Sequence, residues 1–363
     1  MGCGGSKGTD QALRQQESEG GSDAAADSSG QTPDKAKTFR ERRLSMSQLP
    51  AADQQRRRLS VYGNSSSDLT DKQPSEVQSP MPSVGCKTMG GFEPVPGGST
   101  AKINQDRGIA VYPFVDDPTV GLFGVYDGHG RAGEKVSEFV LQNLPVVLAG
   151  KKDQLWADPG KALSETYVTV DTDLAKNMDA SVSGTTAVTC LIKDRHCWLA
   201  NSGDSRAVVF QKTATGLKAK DLTIDHKPDS PAEMKRILKM GGHVTPAGAN
   251  GSPSRVWHNL RGLAMARSIG DHAAATVGVI AEPEITEYDI QDDDYAIIVA
   301  SDGVWELLSS QQVADICHGV KSGDVQEMVE TVADQSSYMW KVEEGDYRDD
   351  ITLIIIKMPW RED

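Results

Sequence analysis

Three apolar runs in this chain abut aspartates. Val120-Gly121-Leu122-Phe123-Gly124-Val125-Tyr126 runs into Asp127-Gly128-His129-Gly130, residues 295–299 run into Ala300-Ser301-Asp302-Gly303, and Asp349-Asp350 stand immediately before residues 351–356. Runs of this length and composition predict buried strands. A carboxylate at the end of a buried strand is costly unless it turns to solvent in a tight Asp-Gly turn or gathers with others around a cation. Repetition at three distant places favours the second arrangement, a metal centre.

The 363 residues could hold one large or two ordinary domains, and 38% hydrophobic content suffices for a sizeable core only if the polar residues are segregated. They are. Residues 1–85 are poor in aromatics and crowded with Ser, Gly, Gln, Asp and Arg, too polar to offset the entropy of ordering, and are expected to be disordered. That segment holds 11 basic and 11 acidic side chains, so the net charge of −14 falls entirely on residues 86–363. An acidic globular part repels polyphosphate, which argues against a nucleic-acid partner and for multivalent cations. The five cysteines are irregularly spaced with no CxxC pair, which points to a reducing compartment. No apolar stretch approaches the roughly 20 residues that cross a bilayer, and no signal peptide is visible.

The first residues, Met1-Gly2-Cys3-Gly4-Gly5-Ser6, fit the pattern for N-myristoylation at Gly2, with Cys3 beside it as a palmitoylation candidate. One acyl chain binds a membrane marginally and a second secures it. Lys37, Arg40, Arg42, Arg43, Arg56, Arg57 and Arg58 outweigh Glu41 and Asp53, giving a basic stretch that would attract anionic lipid. Ser45 and Ser60 follow Arg-Arg-Leu and Arg-Arg-Arg-Leu and resemble substrates of basophilic kinases; phosphate there would weaken the surface contact. A solvated basic linker without regulation is the alternative. The expected location is cytoplasmic, peripheral on the inner face of a membrane.

From Cys86 onward, strands are expected at 108–112, 120–126, 185–192, 197–202, 206–211, 284–289, 295–300 and 351–358, with 188–211 read as an antiparallel meander. Ser230-Pro231-Ala232-Glu233 reads as a capping box, Ser309 with Gln312 and Asp324 with Glu327 start two further helices, and 131–148 carries an apolar helical face. The fold class predicted is α+β, two packed antiparallel sheets covered by helices. Residues 243–259, rich in Gly, Pro and Ser, are expected to form a flap or surface loop.

Eight segments in order, Lys102-Ile103-Asn104-Gln105-Asp106, Asp127-Gly128-His129-Gly130, Ser183-Gly184-Thr185-Thr186-Ala187, Asn201-Ser202-Gly203-Asp204-Ser205-Arg206, Asp225-His226-Lys227-Pro228, Leu263 to Asp271, Ser301-Asp302-Gly303-Val304-Trp305 and Asp349-Asp350-Ile351-Thr352, resemble the motif series of the metal-dependent (type 2C, PPM) protein serine/threonine phosphatases. The resemblance covers residues 86–359. It implies a four-layer α-β-β-α sandwich and hydrolysis of phosphoserine and phosphothreonine in protein substrates at a dinuclear Mn²⁺ or Mg²⁺ centre. Such chemistry makes sense here, because anionic phosphate esters resist neutral water, and paired cations supply both an activated water and a sink for charge.

By resemblance, Asp127 would bridge the two ions, the Gly128 carbonyl would add a ligand, Asp302 and Asp349 would complete the set, and Asp106 would hold metal-bound waters. His129 is the candidate general acid, since an imidazole titrating near neutrality can protonate the leaving oxygen. Lys102 is a candidate phosphate contact, with Ala101 standing where the family often has Arg; a solvent-facing Lys is the alternative. Asp179 is considered for a third ion and read as a solvated loop residue, while Asp204, Arg206, Arg267 and Asp271 are read as architectural. Three departures from the pattern stand out: Gln105 for an acid, Asp350 for Asn, and Arg131 for a second Gly. Loss of the acid at 105 would weaken metal binding, and Asp350 would either offset that or be held in a hydrogen bond. The rival reading is a catalytically weak or dead member serving as a membrane-anchored phosphoprotein-binding module. A monomer is expected.

Overall fold

Every second residue of the long strands faces one of two apolar layers, and this alternation builds the architecture. The computed structural model describes residues 58–61, 81–249, 251–259 and 261–361. In chain order its elements are β1 (Arg58–Val61), β2 (Val84–Met89), β3 (Phe92–Val95), β4 (Gly98–Ala101), β5 (Arg107–Val111), β6 (Val120–Tyr126), β7 (Gly128–Gly130), α1 (Gly133–Gly150), α2 (Lys152–Ala157), α3 (Pro159–Asn177), β8 (Ser183–Thr185), β9 (Ala187–Lys193), β10 (His196–Ser202), β11 (Arg206–Thr213), β12 (Gly216–Asp221), α4 (Pro231–Lys239), β13 (His243–Thr245), β14 (Arg255–His258), β15 (Arg261–Leu263), β16 (Ile269–Gly270), α5 (His272–Ala275), β17 (Glu284–Asp289), β18 (Asp294–Ala300), α6 (Asp302–Trp305), α7 (Ser310–Gly319), α8 (Val325–Glu343) and β19 (Ile351–Lys357).

A six-stranded sheet runs β1-β5-β6-β9-β10-β17 and a five-stranded sheet runs β12-β11-β18-β19-β2, each with antiparallel neighbours. Phe123 and Val125 of β6 meet Ile297 and Val299 of β18 and Ile354 and Ile356 of β19 between the sheets. On the outer face of the first sheet, Leu122 and Tyr126 pack with Val136, Val140 and Leu144 of α1 and Leu163 and Tyr167 of α3. On the outer face of the second, Ile298 and Ile355 pack with Val313 of α7 and Met328 and Val332 of α8. The result is the four-layer α-β-β-α sandwich. Cys86, Cys190, Cys197 and Cys317 are buried and free. No described helix is long and apolar enough to cross a membrane.

Four expectations need correction. Residues 58–61 pair along β5, and β2 begins at Val84, so the stretch read as disordered contributes strands to both sheets. The 188–211 meander breaks at 203–205, because β10 belongs to the first sheet and β11 to the second. The span 243–259 is not loop throughout: its β13 and β14, together with β15, make a small sheet whose Val244 and Val256 pack on Ile237 of α4. Ser230 makes no side-chain cap, whereas Ser309 with Gln312 forms the full capping box and Asp324 caps α8. Glu233, meant to close the box at Ser230, is instead held by Arg236 at 2.7 Å and Arg267 at 2.8 Å. A charged fork outcompetes a neutral backbone donor for a carboxylate.

Candidate metal and catalytic centre

Both sheets deliver carboxylates to one end of the sandwich. Asp106 immediately precedes β5, Asp127 follows β6, Asp302 opens α6 just after β18, and Asp349 precedes β19. The break between β10 and β11 adds Asp204, a residue whose motif points only to an architectural role. The Asp127 carboxyl lies within hydrogen-bonding reach of those of both Asp106 and Asp302.

The backbone around these groups is tied down. Thr186 N donates to the Asp127 carbonyl at 2.8 Å, and Asp127 N donates to Thr186 Oγ1 at 3.1 Å. Ser301 Oγ donates to Asp106 Oδ2 at 2.8 Å and accepts from Thr352 N at 3.0 Å, joining the three segments that carry Asp106, Asp302 and Asp349. Gly128 must be glycine: a Cβ there would overlap the Gly133 carbonyl and lie 2.5 Å from that of Gln105. Its own N–H donates to the Gln105 carbonyl at 3.2 Å.

Electrostatically the cluster is strained. Burial first, and then the Asp350 charge, pushes the Asp106 carboxyl up to about 7. Burial and the neighbouring Asp106 charge drive Asp127 well above the usual carboxylate range, and burial and Asp204 do the same to Asp302. Oδ1 of Asp106, of Asp204 and of Asp302 are each buried without a hydrogen-bond partner. Unpartnered buried acceptors that repel one another are what a hard divalent cation with oxygen ligands would satisfy, so the donor set fits Mg²⁺ or Mn²⁺. Among the described residues, however, no three His, Cys, Asp or Glu side chains are grouped closely enough to hold an ion alone. Asp349 accepts from Lys102 Nζ and, at 3.2 Å, from the Tyr347 hydroxyl.

Lys102 thus sits on a carboxylate rather than in solvent, and Asp350 Oδ1 lies 3.7 Å from the same ammonium. Asp350 is held by hydrogen bonds, accepting from Gly91 N at 2.6 Å and Gln105 N at 2.8 Å. The Gln105 amide, in place of an acid, donates to the Gly130 carbonyl at 2.9 Å and fastens the Asp127-Gly128-His129-Gly130 turn. Asp179 is an exposed turn residue accepting from Ser181 N and Oγ. Asp204, ion-paired to Lys227 at 2.7 Å, is the extra acid that belongs to the cluster. The signal that could have found it is Gly203, whose φ of +119° marks the sharp crossing between sheets.

His129 lies on β7 and points its Nε2 at Asp271 Oδ2, 2.6 Å away. Burial alone would depress its basicity; the Asp271 charge and hydrogen bond outweigh that and raise it. Gly2, Cys3 and Ser45 lie outside the described residues, and Ser60 stands on β1 opposite Ile109.

Residues 100–338 match the family model for protein phosphatase 2C. The chain is 33% identical over 282 residues to probable protein phosphatase 2C 35 of Arabidopsis thaliana, covering 72% of this chain and 80% of that protein. It is 39% identical over 226 residues to probable protein phosphatase 2C 64 of Oryza sativa subsp. japonica, covering 59% of this chain and 53% of that one. The fold is similar to a crystal structure of serine-threonine phosphatase 2C from Toxoplasma gondii, with a TM-score of 0.60 and 21% identity over 75% of this chain and 98% of that one. The chain belongs to the protein phosphatase 2C family of metal-dependent protein serine/threonine phosphatases.

Proposed function

We propose that this chain hydrolyses phosphoserine and phosphothreonine in proteins at a centre of two Mn²⁺ or Mg²⁺ ions held by Asp127, the Gly128 carbonyl, Asp302 and Asp349, with Asp106 holding coordinated water. The observation that carries this reading is the set of buried, unpartnered carboxylate oxygens on Asp106, Asp204 and Asp302 around Asp127. When bound, the ions would supply an activated water and a sink for phosphate charge. The chain's own residues do the rest. Asp204, kept in place by Lys227, adds buried negative charge beside Asp127 and Asp302 and is the residue suited to a third ion. His129 protonates the departing seryl or threonyl oxygen as its bond to phosphorus breaks. Release of Asp349 from Lys102 is required before that carboxylate can serve as a ligand, and the freed ammonium is then available to the substrate phosphate.

The test is Mn²⁺-dependent phosphate release from a phosphothreonine peptide, with Asp127→Asn as control and Mn²⁺ binding followed by calorimetry. Turnover lost in the variant supports the reading. Tight Mn²⁺ binding without turnover in the wild type would favour the binding-module alternative, and metal-independent turnover would reject the centre.

Acylation at Gly2, with Cys3 as a second site, would place this activity on a membrane surface, assisted by the basic stretch and weakened by phosphorylation of Ser45 or Ser60 by a basophilic kinase. Gly2→Ala should move the protein from the membrane to the soluble fraction while its peptide phosphatase activity persists. Membrane association unchanged in that variant would remove the anchor.

A further inference from the structure

Just ahead of the Lys102 to Asp106 motif, β3 and β4 form a two-stranded sheet of their own, with Phe92 opposite Ala101 and Val95 opposite Gly98. Gly97 turns at φ +92°, and no described atom lies within 4 Å of where a Cβ would stand on Gly97 or Gly98, so the tip projects free. Glu93, Pro94, Val95, Ser99, Thr100 and Ala101 are exposed.

The two edges of this hairpin differ. Phe92 N donates to the Arg348 carbonyl at 2.9 Å and the Phe92 carbonyl accepts from Arg348 N at 3.1 Å, which closes the outer edge of β3. Two residues on, Pro94 has no N–H to offer there. With both groups spent on Arg348, Phe92 forms a non-hydrogen-bonded pair with Ala101, whereas the next position along bonds across the ladder, Lys102 N donating to the Gly91 carbonyl at 3.1 Å. The N–H and C=O of Ala101, and by alternation those of Ser99, therefore point away from β3, and no described strand pairs with that edge. Ile103, 47% exposed, continues the line, and among the described residues neither of its backbone groups is bonded. Exposed edges are normally blunted by proline, charge or a covering element; β4 carries no proline and no charge, and lies open.

This open edge leads into the metal centre. Past Ile103, the Gln105 carbonyl accepts from Gly128 N at 3.2 Å, so the place of a partner strand is taken there by the turn that carries Asp127 and Gly128. Lys102, between Ala101 and Ile103, grips Asp349. An extended peptide lying along Ser99 to Ile103 would span roughly 13 Å and finish beside those ligands.

We propose that the β4 edge is the substrate-docking strand of the phosphatase: a phosphoserine or phosphothreonine segment in extended conformation joins β3 and β4 as a third strand, exchanging main-chain hydrogen bonds with Ser99 and Ala101, and so presents its phosphate to the centre. The substrates selected in this way are phosphosites in unfolded stretches, tolerant of side-chain sequence because main-chain groups supply the contact. The proposal rests on the phosphatase reading, and p-nitrophenyl phosphate, too small to reach the hairpin, separates the two.

The experiment measures Mn²⁺-dependent turnover of a phosphothreonine peptide long enough to cover the hairpin, and of a series in which its backbone nitrogens are methylated one at a time. A docked strand turns every second N–H toward its neighbour, so methylation at alternate residues on one side of the phosphothreonine should lower kcat/KM about 3- to 10-fold, and methylation between them should have little effect. Ser99→Pro removes the outward N–H while leaving the bonds between β3 and β4 in place. It should lower kcat/KM for the unmethylated peptide by a similar factor, through KM, leave p-nitrophenyl phosphate turnover unchanged, and cancel the added cost of methylation opposite Ser99. A methylation profile without alternation in the wild type, or a Ser99→Pro loss as large on the aryl phosphate as on the peptide, would overturn the docking strand while leaving the phosphatase reading intact. Absence of metal-dependent turnover of p-nitrophenyl phosphate by the wild type would remove both.

Discussion

Replacing Asp106 by Asn should make the protein more stable when divalent cations are withheld, although the same change damages the centre. The Asp106 carboxyl is raised from 3.8 to about 7, by burial first and by the Asp350 charge next. Below the unfolded value both states carry the proton and the group is neutral to folding. As pH rises toward 7 the unfolded chain ionises freely while the folded one resists, so stability falls, and above 7 the whole difference is lost. A rise of that size corresponds to about 4 kcal/mol. Asparagine keeps an oxygen for the Ser301 hydroxyl that donates to Asp106 Oδ2 at 2.8 Å. It also places an amide where Oδ1 has no partner, which reduces the gain to about 2–3 kcal/mol. Urea unfolding in the presence of a chelator measures it: Asp106→Asn should exceed wild type by that amount at pH 8, and the two should converge near pH 4. With saturating Mn²⁺ the order should reverse, because only the wild type gains the full linkage free energy of ligand binding. A variant no more stable than wild type at pH 8 in chelator would show that ionising this buried carboxylate carries no cost, and the argument for a cation-demanding cluster would fail.

Other consequences can be checked alongside. Lys102→Met frees Asp349, so Mn²⁺ affinity measured by calorimetry should rise by up to about 10-fold while the cation-free protein loses about 1–2 kcal/mol from the unpaired carboxylate. Tyr167→Phe deletes a buried hydroxyl placed 2.8 Å from Thr189 Oγ1 and 2.9 Å from the Ala200 carbonyl, and should cost about 1–2 kcal/mol in chemical denaturation with kcat unchanged. For Glu233, burial raises the carboxyl but hydrogen bonds from Arg267 and Arg236 outweigh it, leaving it at about 2. A depressed pKa stabilises above the unfolded value of 4.5 and is lost as pH falls toward 2. Glu233→Gln should therefore cost about 2 kcal/mol at pH 7 after solvent screening, with the gap to wild type closing between pH 4.5 and 2.

Much of the sandwich is legible in the sequence because its central strands are short apolar runs rich in β-branched residues, buried on both faces: 120–126 and 284–289 coincide with β6 and β17, and the others agree within a few residues. Which sheet a strand joins is not local information. Residues 197–202 and 206–211 look like a hairpin, and only the packing of Val209 and Leu199 from opposite sides of one core separates them into two sheets. Helix α3 gives no clear sequence signal because its apolar positions are diluted by Thr, Ser and Asp, and the short strands β13 to β15 carry too few apolar residues for a periodic one. Asp106, Asp127 and Asp302 were recognisable as a group because each sits beside a strong strand signal or motif. Asp204 and Asp271 were not, since their positions arise from a sheet crossing and from the register of β7 and β16 on β8. The grip of Lys102 on Asp349, residues 247 apart in sequence, is likewise a product of the tertiary fold.

Because Asp106 and Asp127 hang from one sheet and Asp302 and Asp349 from the other, the centre measures the offset between two slabs. A slide of one slab across the other by a fraction of an ångström alters all four distances between the two pairs at once while leaving the spacing within each pair unchanged. Side chains midway between the layers, such as Val125, Val209, Ile297 and Ile354, therefore act as shims that set a ligand bite they never touch.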